Sequence, residues 1–205
     1  MVEINKDNIY LARTSPPSVL QAYTEQFRKD FSLFLNLRSK EITPKGRMVL
    51  TILGKTSQEP FGKECGSWEL LSKSLNDLVS EGLIEEAKVD SFNLPFYMPF
   101  YMPSCKEVEA IICGEGSFYL DKLEIFEINW DESDDDDNRE FTFDRFISGQ
   151  KVAKLVRAVI EPLIACHFGN AVTDVLFNKY IEYVGNHLSM EEGRFVNFVI
   201  SLKGK

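Results

Sequence analysis

Trp68 stands at the head of a helical run, SWELLSKSLNDLVSE, directly after Ser67. Its indole joins one N–H donor to a broad apolar face, a combination that suits an aromatic acid. The plain alternative is a core tryptophan at a helix start, with Ser67 as the cap. His167 and His187 are the other groups able to move a proton near neutral pH. Neither sits beside a nucleophile motif, and both read as structural or surface residues. Cys65, Cys105, Cys113 and Cys166 form no tight metal-type pair. They read as bystander thiols, reduced as in a cytoplasm. DSFN at 90–93 reads as a turn, in which Asp90 and Asn93 bond local backbone. The acidic run DESDDDDN at 131–138 has neither the glycine turn nor the terminal Glu of a calcium loop, and reads as a solvated loop.

These groups need a frame. NIYLA at 8–12 is a short apolar, strand-like stretch, and Ser15 before Pro16 and Pro17 reads as a helix cap. Leu20, Tyr23, Phe27, Phe31 and Phe34 recur at helical spacing, widened by Leu33, Leu35 and Leu37, and predict a helix to about Arg38. Met48–Leu53 is nearly all apolar, as in a parallel strand covered on both faces. A helix is predicted from about Ser67 to Glu81, ended by Gly82 in a left-handed conformation. Pro95, Pro99 and Pro103 then forbid regular helix through DSFNLPFYMPFYMPS, where YMPF is echoed by YMPS. A short helix at 105–115 and a long strand in SFYLDKLEIFEINW follow. Further helices are predicted at 149–165, with Val152, Leu155, Val156 and Val159 inward, and at 169–187; RFVNFVISLKG closes the chain as a strand.

The order of elements argues for a layered α/β architecture. The chain has 205 residues, 44% of them apolar and 16 of them Phe, enough to fill a core. A net charge of −9 excludes a generic nucleic-acid binder and disfavours an anionic membrane surface. The opening MVEINKDNIY is no signal peptide, and no apolar run reaches membrane-spanning length. Three strands are few for such a sheet, and no Gly-rich turn follows an early strand to carry a nucleotide-like cofactor.

Several segments resemble the plant salicylate, benzoate, jasmonate and theobromine methyltransferase family. They are NKDNIYLARTSPPSVLQAYTEQFRKDFSLFLNLRSKEI, GRMVLTILGK, SWELLSKSLNDLVSEGLIEEAKVDSFNLPFY, AVIEPLIACHFG and RFVNFVISLKGK. The resemblance covers essentially the whole chain, residues 1–205, yet family members are substantially longer. It implies the last three strands of a seven-stranded class I methyltransferase-like sheet, with 63–118 contributing to a helical cap over the substrate. It also implies transfer of a methyl group from S-adenosylmethionine to a small carboxylic acid. The family's glycine-rich loop and its acidic ribose contact have no counterpart here, so weak or no cofactor binding by this chain is expected. The strand at 48–53 is expected to lack its parallel neighbour.

The resemblance also implies a substrate site. Trp68 matches the tryptophan whose indole N–H holds the substrate carboxylate, and Ser67 a neighbouring lining position. The family's pocket aromatic falls on Tyr97 by distance from Trp68, or on Tyr101 by distance to the following Pro-Ser. Val156 matches a position held by methionine in salicylate-type enzymes, and Phe195 an aromatic lining position; core packing is the plain alternative for both. A magnesium position is implied at Asn5, Asp90, Asn93 and the backbone oxygen of Phe92, in an ancillary bracing role. No general base is needed, because a carboxylate with a pKa near ~4 is already ionised at neutral pH. The expected partner is a salicylate- or benzoate-like acid, with jasmonate-type acids as the alternative, and a homodimer in the full-length form. A different reading is a non-catalytic chain that pairs with a full-length relative.

Overall fold

The computed structural model describes residues 5–57, 66–92, 101–131 and 143–205. Chain order runs α1 (Pro17–Ser39), β1 (Arg47–Gly54), α2 (Gly66–Ser80), α3 (Glu86–Ser91), α4 (Cys105–Glu115), β2 (Phe118–Asn129), α5 (Arg145–Phe168), α6 (Asn170–Leu188) and β3 (Arg194–Gly204).

The sheet has the order β1-β3-β2. Both outer strands are antiparallel to β3, with Leu50 opposite Ile200 on one side and Leu123 opposite it on the other. β1 and β2 therefore run parallel to each other without touching. The alternating apolar residues of one face, Met48, Leu50 and Ile52 with Phe198, Ile200 and Leu202, pack on Phe31 and Leu35 of α1 and on Val108 and Ile112 of α4. A capping box fixes the start of α4: Ser104 Oγ accepts from the Glu107 N–H, and Glu107 accepts from the Ser104 N–H at 2.7 Å.

A second core lies in a helical lobe. Leu71, Leu75 and Leu78 of α2 and Val89 of α3 meet Val152, Val156, Ile160 and Ile164 of α5 and Leu176, Tyr180 and Val184 of α6. α5 and α6 form a tight hairpin about Gly169. A Cβ on Gly149 would lie 2.4 Å from the Ile181 carbonyl oxygen, and one on Gly185 2.3 Å from that of Arg145. Only glycine permits that approach.

Five expectations are corrected. Residues 8–12 are not a strand, although Ile9–Ala12 are all buried. Their backbone is met by side chains instead: Ile9 N–H donates to Ser72 Oγ and Asn5 Nδ2 donates to the Tyr10 carbonyl. Ser15 does not cap α1, because its hydroxyl donates to Asn5 Oδ1 and accepts from the Ala12 N–H. β1 is not covered on both faces: Val49 is 64% exposed and its only strand neighbour among the described residues is antiparallel. Leu155 and Val159 point outward, because the buried stripe of α5 recurs every fourth residue from Val152 through Val156, Ile160 and Ile164 to Phe168. Asp131, read as part of the acidic loop, is buried and accepts from Ser148 Oγ at 2.7 Å; residues 132–138 lie outside the described residues.

Candidate functional site

The C-terminal ends of β1 and β2 and the start of β3 form one rim of the sheet. Trp130 follows β2 there, and its backbone N–H donates to the Gly193 carbonyl at 2.9 Å. Its ring stacks on His187 with centroids 5.4 Å apart and lies 6.0 Å from the ring of Phe195. A Cβ on Gly66, the first residue of α2, would lie 3.2 Å from Trp130 Cη2. The start of α2 is thus held against the rim, and the next two residues are Ser67 and Trp68.

Of the sequence-predicted residues, Trp68 and Val156 are buried members of the helical-lobe core, and Tyr101 and Phe195 pack against it half-buried. Three separate segments, α2, α5 and the start of β3, deliver Trp68, Val156 and Phe195 to one cluster. Ser67 is buried with its hydroxyl unpartnered. Tyr97 lies outside the described residues. Tyr101 is tied to the sheet-side helices: its hydroxyl donates to Glu107 at 2.8 Å, meets Thr24 Oγ1 at 3.0 Å, and its ring packs on Phe27.

Two aromatic residues at this place escaped sequence reasoning. Tyr10 is buried 6.4 Å from the Trp68 ring, and its hydroxyl accepts from the Met102 N–H at 3.2 Å. Trp130 is the other. Its sole local signal is a tryptophan at the end of an alternating run. The glycines that admit its ring stand 64 positions before and 63 after, too far apart for any pattern to link.

The residues assigned to magnesium brace the chain by direct bonds. Both ends of the Asn5 amide are engaged, by Tyr10 and Ser15. Asp90 accepts from the Asp7 N–H at 3.0 Å, and Lys6 pairs with Glu86 at 3.1 Å. Phe92 is buried at the end of α3, against His167 and Phe168. Asn93 lies outside the described residues, and no group of His, Cys, Asp or Glu among the described residues could hold a metal ion. With the Asn5 amide oxygen and one Asp90 oxygen already engaged, the described residues leave few free oxygen ligands for an octahedral cation. Gly54, the glycine that ends β1, leaves room for the Phe198 ring, 2.3 Å from where a Cβ would be.

The His167 Nε2–H donates to the Lys88 carbonyl at 2.9 Å, so it clasps α5 to α3. His187 serves as a platform for Trp130. A separate cavity of about 520 Å³ opens at the same rim, lined by Thr56, Ser57, Glu127, Arg194 and the 190–192 turn. It contains none of the predicted substrate residues, and its arginine is paired with Glu127 and Glu192. Among the described residues no helix is long and apolar enough to cross a membrane.

Comparison with known proteins places these residues in context. The family described as SAM dependent carboxyl methyltransferase matches residues 1–205. A probable jasmonic acid carboxyl methyltransferase from Theobroma cacao is 46% identical over 205 residues, spanning 98% of this chain and 54% of that protein. A salicylate carboxymethyltransferase from Clarkia breweri is 46% identical over 202 residues, spanning 98% of this chain and 55% of that protein. A solved loganic acid methyltransferase with SAH superposes with a TM-score of 0.81 at 30% identity, over 98% of this chain and 54% of that one. The chain thus spans about half the length of the relatives it matches.

Proposed function

The chain belongs to the SAM-dependent carboxyl methyltransferase family, and we propose that it supplies the acid-gripping side of a small-molecule carboxyl methyltransferase. The observation that supports this reading is that Trp68 and Val156 belong to the helical-lobe core and Phe195 packs on it, so α2, α5 and the start of β3 each bring one of them to the same core. In the proposed pose the Trp68 N–H donates to a carboxylate oxygen, and the apolar walls of Val156 and Phe195 hold the body of the acid. Charge-assisted hydrogen bonds of this kind are the strong ones, and a dry wall strengthens them further. A carboxylate is ionised at neutral pH, so the chain's task is to orient it and exclude water. Neither histidine is needed as a base, in keeping with their packing roles at α3 and Trp130.

The substrate proposed is an aromatic acid of the salicylate or benzoate type. A jasmonate-type acid is the alternative, supported by the small side chain at Val156, which leaves a wider wall than methionine would.

Calorimetric titration of the chain with salicylate tests the reading. Saturable binding is expected, with the uncharged salicylamide markedly weaker. Trp68→Phe keeps the ring plane but removes the donor, and should weaken salicylate by about tenfold, the scale of one hydrogen bond to a charged group. Equal binding of acid and amide would overturn the carboxylate assignment.

A second reading, a non-catalytic partner of a full-length relative, is favoured by one observation. The face of the sheet opposite α1 and α4 exposes Val49, Leu53, Phe126 and Ile128. Co-purification of this chain with a tagged full-length relative, lost in a Val49→Glu/Phe126→Glu double variant, would support it.

A further inference from the structure

The helix that covers the sheet carries a second apolar ridge, on its outer side. Phe31 and Leu35 of α1 face the sheet core, whereas Leu33 is 58% and Leu37 44% exposed. At about 100° per residue, Leu33 and Leu37 lie about 40° apart, on the far side of the helix from Phe31 and Leu35. Single exposed leucines are ordinary on a protein surface. Two on one line of a helix, with the half-exposed Phe34 beside them, form a ridge.

The ridge belongs to a longer seam. Gln26, Asp30, Leu33, Leu37 and Lys40 are all exposed, and they follow one another at intervals of four, three, four and three residues. That spacing keeps a line of side chains on the one face by which a helix packs against another. α1 runs to Ser39, and Lys40 keeps a helical backbone at φ −79° and ψ −17°, so the line is unbroken. It points away from the sheet, so covering the opposite sheet face does not bury it.

The order of charge along the seam identifies its occupant. Leu33 and Leu37 stand on either side of Leu35 at equal distance, and so do Asp30 and Lys40. Turned end for end about Leu35, the seam is its own complement. Leu33 of one copy meets Leu37 of the other, Asp30 meets Lys40, and each contact occurs twice, as an isologous interface requires. With a rise of about 1.5 Å per residue, the leucine contacts stand about 3 Å and the charge contacts about 7.5 Å from the two-fold axis. A parallel arrangement would set Asp30 against Asp30 and Lys40 against Lys40.

We propose that the outer face of α1 is a docking surface for a second copy of this chain, joined antiparallel about a two-fold axis at the level of Leu35. The leucines supply the apolar burial, and the Asp30–Lys40 contacts set direction and register. Two leucines and one phenylalanine from each copy cannot fill the ~800 Å² per partner of a stable interface, and exposed ion pairs add little. The association is therefore weak and reversible. It stands independently of acid binding.

Sedimentation in the Val49→Glu/Phe126→Glu background separates this surface from the open sheet face. The average mass should climb from that of the monomer toward twice that value as concentration is raised, and Leu33→Glu should abolish the climb. Asp30→Lys alone and Lys40→Asp alone each put like charges at both ends of the seam. Each should raise the dissociation constant by about tenfold, as two repulsive contacts replace two attractive ones. Mixed in equal amounts, the two single variants should associate with each other as tightly as the parent does with itself, because both charge contacts of the mixed pair again join opposite signs. The Asp30→Lys/Lys40→Asp double variant should regain self-association for the same reason. Every substituted position is exposed, so circular dichroism should be unchanged. The proposal is overturned if the background variant stays monomeric at every concentration, if the single variants associate as the parent does, or if mixing them restores nothing.

Discussion

Glu107 shows how much one side chain near the site can carry. Burial pushes its carboxyl up, but bonds from the Ser104 N–H, the Ser104 hydroxyl and the Tyr101 hydroxyl outweigh burial and hold it below its ordinary range. A depressed carboxyl contributes stability that is present above the unfolded value of 4.5 and is lost as pH falls through the depressed folded one. Urea midpoints should therefore drop as pH is lowered past that value. Glu107→Gln should cost about 1 kcal/mol at neutral pH and remove this part of the acid slope. The same carboxylate anchors Tyr101, so the variant should also loosen the attachment of the aromatic segment to α4. Tyr183 works in the opposite direction. Its bond to Asp77 and partial burial push its phenol up to about 12, so it stays a neutral donor from α6 to α2 across the working range of pH.

At the scale of elements, the α5–α6 hairpin is held by close backbone approach rather than by large side chains. Gly185→Ala should push Arg145 away and cost about 1–3 kcal/mol, the range for overpacking, read as a lowered melting temperature. Because Val156 rides on α5, the same variant should weaken acid binding without touching the acid. Much of this level was legible in the sequence. β3 matches RFVNFVISLKG residue for residue, because its alternation is unbroken and it ends on glycine. α4 was legible through its Ser-x-x-Glu start and its glycine end. The run at 8–12 misled, since a buried apolar segment looks alike whether its backbone meets a strand or the side chains of Asn5 and Ser72. Leu155 and Val159 misled because an apolar residue does not declare which edge of a stripe it sits on. Trp68 was named by resemblance and lies in the helical-lobe core, while Trp130 went unnoticed, since its clamps come from distant glycines.

At the scale of the molecule, a charge of −9 and an apolar sheet face pull in opposite directions. Leu53, Asn197 and Phe126 form one row straight across the sheet, flanked by Val49 at 64% and Ile128 at 47% exposure. Exposed apolar side chains of this kind favour association, and the outer edge of β1, which pairs with no other described strand, aids it. The chain by itself should sediment faster as its concentration rises. Val49→Glu together with Phe126→Glu should end association through this face, with little loss of stability because both side chains are already exposed. The strand order has one more effect. The last strand of the chain lies in the middle of the sheet. Until β3 is in place, β1 and β2 share no hydrogen bonds with each other, and two apolar strands wait in a half-made sheet. Any change that unseats β3 would open both seams of the sheet at once, and leave a product for chaperones and proteases.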